Sequence, residues 1–112
     1  MKEWLRFSIC FWHTFRGKGA DPFGFPTMTR HYDNEQNTLA NAKERANAAF
    51  ELFAKLGVDF YTFHDRDVSP EMDTLEESNQ VLDYMVSHLQ SLQAKTGIKL
   101  LWATQNLFSH PR

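Results

Sequence analysis

A run of ten residues, 58–67, does most to limit what this chain can become. Val58-Asp59-Phe60-Tyr61-Thr62-Phe63 is short, rich in β-branched and aromatic residues, and stands directly after Gly57. Within one residue it changes to His64-Asp65-Arg66-Asp67, and Ser69-Pro70 closes it. An apolar run this short, boxed by a glycine and a proline, predicts a buried strand rather than a helix. A strand covered on both faces belongs to a parallel sheet. In parallel α/β folds the chemistry gathers beyond the carboxyl ends of the strands, where His64 and Asp67 fall.

The flanking chain agrees with that assignment. Over 38–56, Leu39, Ala42, Ala46, Ala49, Phe50 and Phe53 recur at steps of three and four and predict one buried helical stripe. Lys43, Glu44, Arg45, Asn47 and Glu51 fall on the other faces, and Gly57 supplies the C′ glycine that lets the chain turn. A second helix is predicted over 75–95. Thr74 and Glu77 form a capping box, and Leu75, Leu82, Met85, Leu89 and Leu92, flanked by Val81 and Val86, form its buried face. Gly97 ends it, and 98–104 is a further strand. Upstream, 7–15 predicts a first strand that runs into a long loop carrying two glycines and the sequence Asp21-Pro22-Phe23-Gly24-Phe25-Pro26.

The order is therefore strand, loop, helix, strand, helix, strand, which predicts right-handed crossovers and a parallel α/β sheet. The two glycine exits stand about forty residues apart, the repeat of an α/β barrel unit. Three strands cannot close a barrel of eight strands and ~250 residues. The expectation is a single partial barrel domain over 1–112, open at two apolar edges, which either belongs to something larger or self-associates.

Hydrophobic content of 42% and charged content of 23% exclude a disordered chain. A net charge of -2 with no basic cluster argues against a nucleic-acid partner. Cys10 is the single cysteine and is expected in the core, so no disulfide framework exists and a reducing compartment follows. The first residues lack a signal-peptide core and no stretch approaches membrane-spanning length, so the expected location is the cytoplasm, with no membrane partner.

His64 admits two readings: a hydrogen-bonded polar residue at a strand end, or a general acid/base whose tautomer Asp67 fixes. Asp65 and Asp67 could instead hold a divalent cation, although one Asp-x-Asp is a weak signal. Trp12 and Trp102 each stand near the carboxyl end of a predicted strand. They are either core residues or, on one face beside His64, walls of a pocket that stacks the apolar face of a sugar. His13, His31, His88 and His110 lack metal-ligand spacing, and His88 is expected on a helix surface.

Taken together, four blocks resemble the longer, class II form of xylose isomerase. They are Phe11-Trp12-His13-Thr14-Phe15, the loop Gly19-Ala20-Asp21-Pro22-Phe23-Gly24, the segment Phe63-His64-Asp65-Arg66-Asp67 with Ser69-Pro70-Glu71, and Leu100-Leu101-Trp102-Ala103-Thr104 with Asn106-Leu107-Phe108 and His110-Pro111. The resemblance implies the first three strands and two helices of an eight-stranded barrel that assembles as a homotetramer and interconverts D-xylose and D-xylulose by a hydride shift. It implies His64 as the ring-opening histidine, Asp67 as the aspartate that orients it, Trp12 and Trp102 as residues lining the pentose, and Thr104 as a neighbour of the substrate. Phe23 would be the phenylalanine inserted into a neighbouring subunit's site. It further implies two divalent cations, magnesium, manganese or cobalt, in the complete enzyme. The residues that hold them, and a lysine that assists the substrate, belong to later strands, and Asp65 is not a ligand in that pattern. The expectation is thus a partial xylose isomerase that binds no metal and does not turn over alone. The alternative is a stand-alone sugar-binding or assembly module.

Overall fold

A computed structural model describes residues 3–17, 30–32 and 38–106 of the chain. Most of the predicted aromatic loop, Phe23 included, and the end segment with His110 lie outside those residues. The elements are β1 (Ser8–Cys10), a π-helical turn (Trp12–Arg16), α1 (Leu39–Leu56), β2 (Phe60–His64), α2 (Asp65–Val68), α3 (Leu75–Thr96) and β3 (Lys99–Thr104). The strands form one open parallel sheet in the order β1-β2-β3.

Both long helices start and stop where their caps dictate. Thr38 Oγ1 accepts the Asn41 amide at 3.2 Å, and Thr74 Oγ1 accepts the Glu77 amide at 3.2 Å. These bonds satisfy amides that a helix start leaves without partners. Gly57 and Gly97 leave the helices at φ 68° and 75°, a left-handed conformation that a side chain makes costly.

Tyr61 fixes the sheet to the helix layer. It is fully buried, its ring 5.0 Å from that of Phe50 and 5.6 Å from that of Phe53 on α1, and 6.0 Å from Phe63. Gln93 of α3 donates to its hydroxyl at 3.1 Å, and burial pushes the pKa of that hydroxyl up to about 12. Burying each such ring stabilises the fold by roughly 1.5–3 kcal/mol. Because strand side chains alternate, Tyr61 and Phe63 face the helices while Thr62 and His64 face away.

Five expectations are corrected. The first strand stops at Cys10 rather than running to Phe15, because the chain winds into a helical turn. Winding brings Phe11 and Phe15 together at 5.1 Å and sets them 6.4 and 5.8 Å from Phe53, so both rings enter the core. Arg45, expected on a polar face of α1, is only 3% exposed. Asn41, Arg45 and Ala49 step by four along one flank of the apolar stripe, and the Arg45 guanidinium is buried with the rest of its side chain. On α3 only Met85 and Leu89 are fully buried, whereas Leu75 is 78% exposed and Val86 is exposed as well. A sheet of three strands gives this helix too narrow a base to cover the whole stripe. Cys10 is half-buried, and His88 is half-buried with its Nε2 2.9 Å from Asn47 Oδ1 of α1.

The β3 edge is the open side of the molecule. All six of its residues are exposed, Leu100, Leu101 and Trp102 among them. An unpaired apolar strand edge is a template for further pairing. Sedimentation velocity at micromolar concentration should accordingly show species larger than the monomer, and a Leu101→Lys substitution should reduce them. The glycine exits give a second expectation. No atom lies within 4 Å of a Cβ added at Gly57, so Gly57→Ala should cost about 1 kcal/mol through backbone conformation alone. Urea unfolding checks this, and Gly57→Asn should lose less, because asparagine tolerates the left-handed region better.

Candidate active site

The carboxyl end of β2 is built by a one-turn helix that the sequence pattern does not predict. His64 is the cap of α2, and Asp67 is the third residue of its turn. The turn carries the Asp67 carboxylate back beneath His64, where Oδ2 accepts the His64 amide at 2.8 Å and lies 3.4 Å from Nδ1. A histidine followed three residues later by an aspartate is the spacing of a reciprocal cap, and that is the signal by which α2 could have been found.

Asp67 is fully buried, and that burial raises its pKa above the ordinary value of 3.8 against the opposing pull of the His64 amide, the His64 ring and Arg16. The His64 ring remains partly open to solvent. The pair is therefore a half-buried imidazole standing on a buried carboxylate. With Nδ1 turned toward Asp67, Nε2 is left for an external group. Such a histidine can take a proton from, or return it to, a bound hydroxyl.

Strand register brings β3 into the same place. The pairing runs Tyr61↔Leu100, then skips Leu101, and resumes Thr62↔Trp102, Phe63↔Ala103 and His64↔Thr104. Partners in register share a sheet face, so the skipped residue puts Trp102 and Thr104 on the face of His64. The Trp102 ring lies edge-on to His64 at 5.9 Å and is 45% exposed, so it is not a core residue. Trp12 follows β1 two residues beyond the Cys10↔Thr62 pair and is 38% exposed. It thus stands at the same end of the sheet. Among the described residues no ring contact joins it to His64 or Trp102. Of the residues singled out from sequence, His64, Asp67, Trp102 and Thr104 converge, Trp12 is close by in topology, and Phe23 lies outside the described residues.

Asp65 points elsewhere. Its Oδ1 accepts the Arg66 amide at 2.8 Å and the Asn106 amide, just past β3, at 2.9 Å. Arg66 pairs with Glu71, and a cleft of about 380 Å³ opens on that side, lined by Asp65, Arg66, Glu71, Leu75 and Gln105 among others. Neither His64 nor Trp102 lines it.

No protein-family model matches the chain. Individual relatives do. All 112 residues align at 53% identity with the xylose isomerase of Hordeum vulgare, at 53% with that of Rhodopirellula baltica and at 51% with that of Arabidopsis thaliana. Over its whole length the chain is similar to xylose isomerase. It spans about a quarter of the length of these relatives, 23%, 26% and 24% respectively. His64, Asp67, Trp102 and Thr104 therefore stand within sequence aligned throughout with these xylose isomerases.

The described residues do not fit the divalent cations of a complete xylose isomerase. Among them no three histidine, cysteine or acidic side chains gather as a metal group. Asp67 is buried against His64, and Asp65 has an oxygen committed to two backbone amides.

The buried carboxylate carries a testable sign. Raising a carboxyl's folded pKa means that the folded state holds the proton more readily than the unfolded chain. This contribution to stability is fully present below about 3.8 and is lost as pH rises through the raised folded value. Asp67→Asn keeps an acceptor for the His64 amide without the buried charge. Urea unfolding across the acid-to-neutral range should show it more stable than the unmodified chain at neutral pH, with that advantage shrinking toward acid.

Proposed function

We propose that the chain is the sugar-facing, acid/base part of a xylose isomerase, the first strands of a β/α barrel that acts on the pyranose form of D-xylose. The observation that carries this reading is the partly solvent-open His64 imidazole seated on buried Asp67 and flanked by Trp102, in sequence aligned with xylose isomerases along its whole length. In this reading the apolar face of the sugar lies against Trp102, with Trp12 on the neighbouring strand and Thr104 beside it. Nε2 of neutral His64 takes the proton of the anomeric hydroxyl. The bond from C1 to the ring oxygen breaks, and the proton returns to that oxygen, which leaves the open-chain aldose. Asp67 holds the tautomer and offsets the charge that forms on the ring during transfer.

The later isomerisation falls, by the family resemblance, to divalent cations held outside the residues described. The rest of the site, the cations and the tetramer belong in this reading to polypeptide equivalent to the remaining length of the relatives. Phe23 would serve a neighbouring subunit's site.

Fused in frame to the rest of the barley xylose isomerase, the chain should convert D-xylose to D-xylulose. In that fusion, His64→Asn should slow turnover of the cyclic sugar by roughly 100- to 10,000-fold, the usual worth of general acid/base help. It should slow a sugar that cannot cyclise far less. Equal losses on both substrates would show that His64 holds structure or substrate position instead. A folded fusion without turnover would favour a binding or assembly module.

A further inference from the structure

The skipped residue Leu101 creates a problem that the fold must solve. In a regular register Thr62 would pair with Leu101 and His64 with Ala103, and Trp102 would then turn to the helix face. Only the irregularity after Tyr61↔Leu100 puts Trp102 and Thr104 on the face of His64. A parallel ladder next to an irregularity can slip, because a shift of one residue reverses every side chain beyond it. Something must hold β3 in the shifted register at its far end, where solvent reaches the whole strand.

We propose that Asp65 is a positioning residue for the sugar-binding wall, acting as a carboxylate clamp that locks the carboxyl end of β3 to that of β2. It is the first residue after His64, and Asn106 lies two residues after Thr104, the partner of His64 in the ladder. One oxygen, Oδ1, accepts both the Arg66 amide at 2.8 Å and the Asn106 amide at 2.9 Å, so it ties the turn of α2 to backbone beyond β3. The first bond pins the carboxylate to the turn of α2, and hence to the Asp67–His64 pair. The second continues the β2–β3 ladder past its last pair, with a side chain standing where a backbone carbonyl would. Charged acceptors make stronger bonds to amides than neutral ones, which suits a clamp on an otherwise exposed strand. Trp102 and Thr104 are thereby held opposite His64. Asp65 itself does not face the proposed substrate, which separates its role from that of Asp67. This inference deepens the reading of His64, Trp102 and Thr104 given above and rests on it for its functional meaning, although the clamp can be tested without sugar.

The test is nuclear magnetic resonance on the 112-residue chain, read at two places. In the unmodified chain the Asn106 amide should exchange with solvent roughly tenfold more slowly than an unstructured amide, although it lies beyond β3. Cross-relaxation between the His64 and Trp102 rings should also be visible. Asp65→Ala should remove the protection at Asn106 and weaken the ring–ring signal while leaving protection at Tyr61 unchanged. Asp65→Asn, which keeps an oxygen at the same place, should retain most of both. Free exchange of Asn106 in the unmodified chain would overturn the proposal. So would an unchanged ring–ring signal in Asp65→Ala, a loss shared equally by Tyr61, or the same loss in Asp65→Asn as in Asp65→Ala. Should Asp65→Ala fail to fold, the unmodified chain and Asp65→Asn still decide the matter. If the fusion enzyme lacks turnover while these signals hold, the sugar reading fails and the clamp stands.

Discussion

Everything about the site follows from the burial of one ring. Tyr61 sits between Phe50 and Phe53 on one side and Gln93 on the other, and none of its surface is left to solvent. A strand has two faces, and anchoring one residue to the helix layer assigns every other residue by parity. With Tyr61 inward, Phe63 must be inward and His64 must face the opposite side. Turning the strand over would bury an imidazole among phenylalanines and expose two large rings, at a loss of several kcal/mol of apolar burial. The candidate site is thus placed by a residue that stands outside it.

The parts of this architecture that are legible in the sequence are those governed by short-range rules. Thr38, Gly57, Thr74 and Gly97 mark helix ends to within a residue, because caps and left-handed exits are made by the residues that need them. Parallel pairing in the order β1-β2-β3 follows from strands alternating with helices. His64, Asp67, Trp102 and Thr104 stand out in the sequence, and the structure gathers them at one end of the sheet.

The misses have physical causes of the opposite kind. Phe11 and Phe15 suit either a strand face or a helical turn, and the choice between them is made by Phe53, far away in sequence. The charge of Arg45 argues for an outside position, whereas helical geometry puts it on the margin of the stripe. The register irregularity at Leu101 has no local signal, since Lys99, Leu100, Leu101 and Trp102 read as an ordinary strand. Asp65 suggests a cation ligand in sequence because its carboxylate stands beside another. Its actual partners are amides, one of them on the next strand, and pairing across 41 residues leaves no trace in spacing.

The unequal lengths of the three strands have a consequence for how the molecule opens. β1 joins β2 through three residue pairs, and β3 joins it through five, reinforced by the Asp65 bridge. The intervening chain is about fifty residues in the first case and about forty in the second, a difference worth only a few tenths of a kcal/mol in closure entropy. By ladder length alone β1 would detach first, but Phe11 and Phe15 follow it directly and are buried against Phe53, so its end is held by packing instead. Trp12 rides directly behind it on the π-helical turn, while Trp102 is built into the better-held pair. The two tryptophans at the carboxyl end of the sheet thus differ in kind. Trp102 stands on a strand held by its ladder, and Trp12 on a turn held by two buried rings.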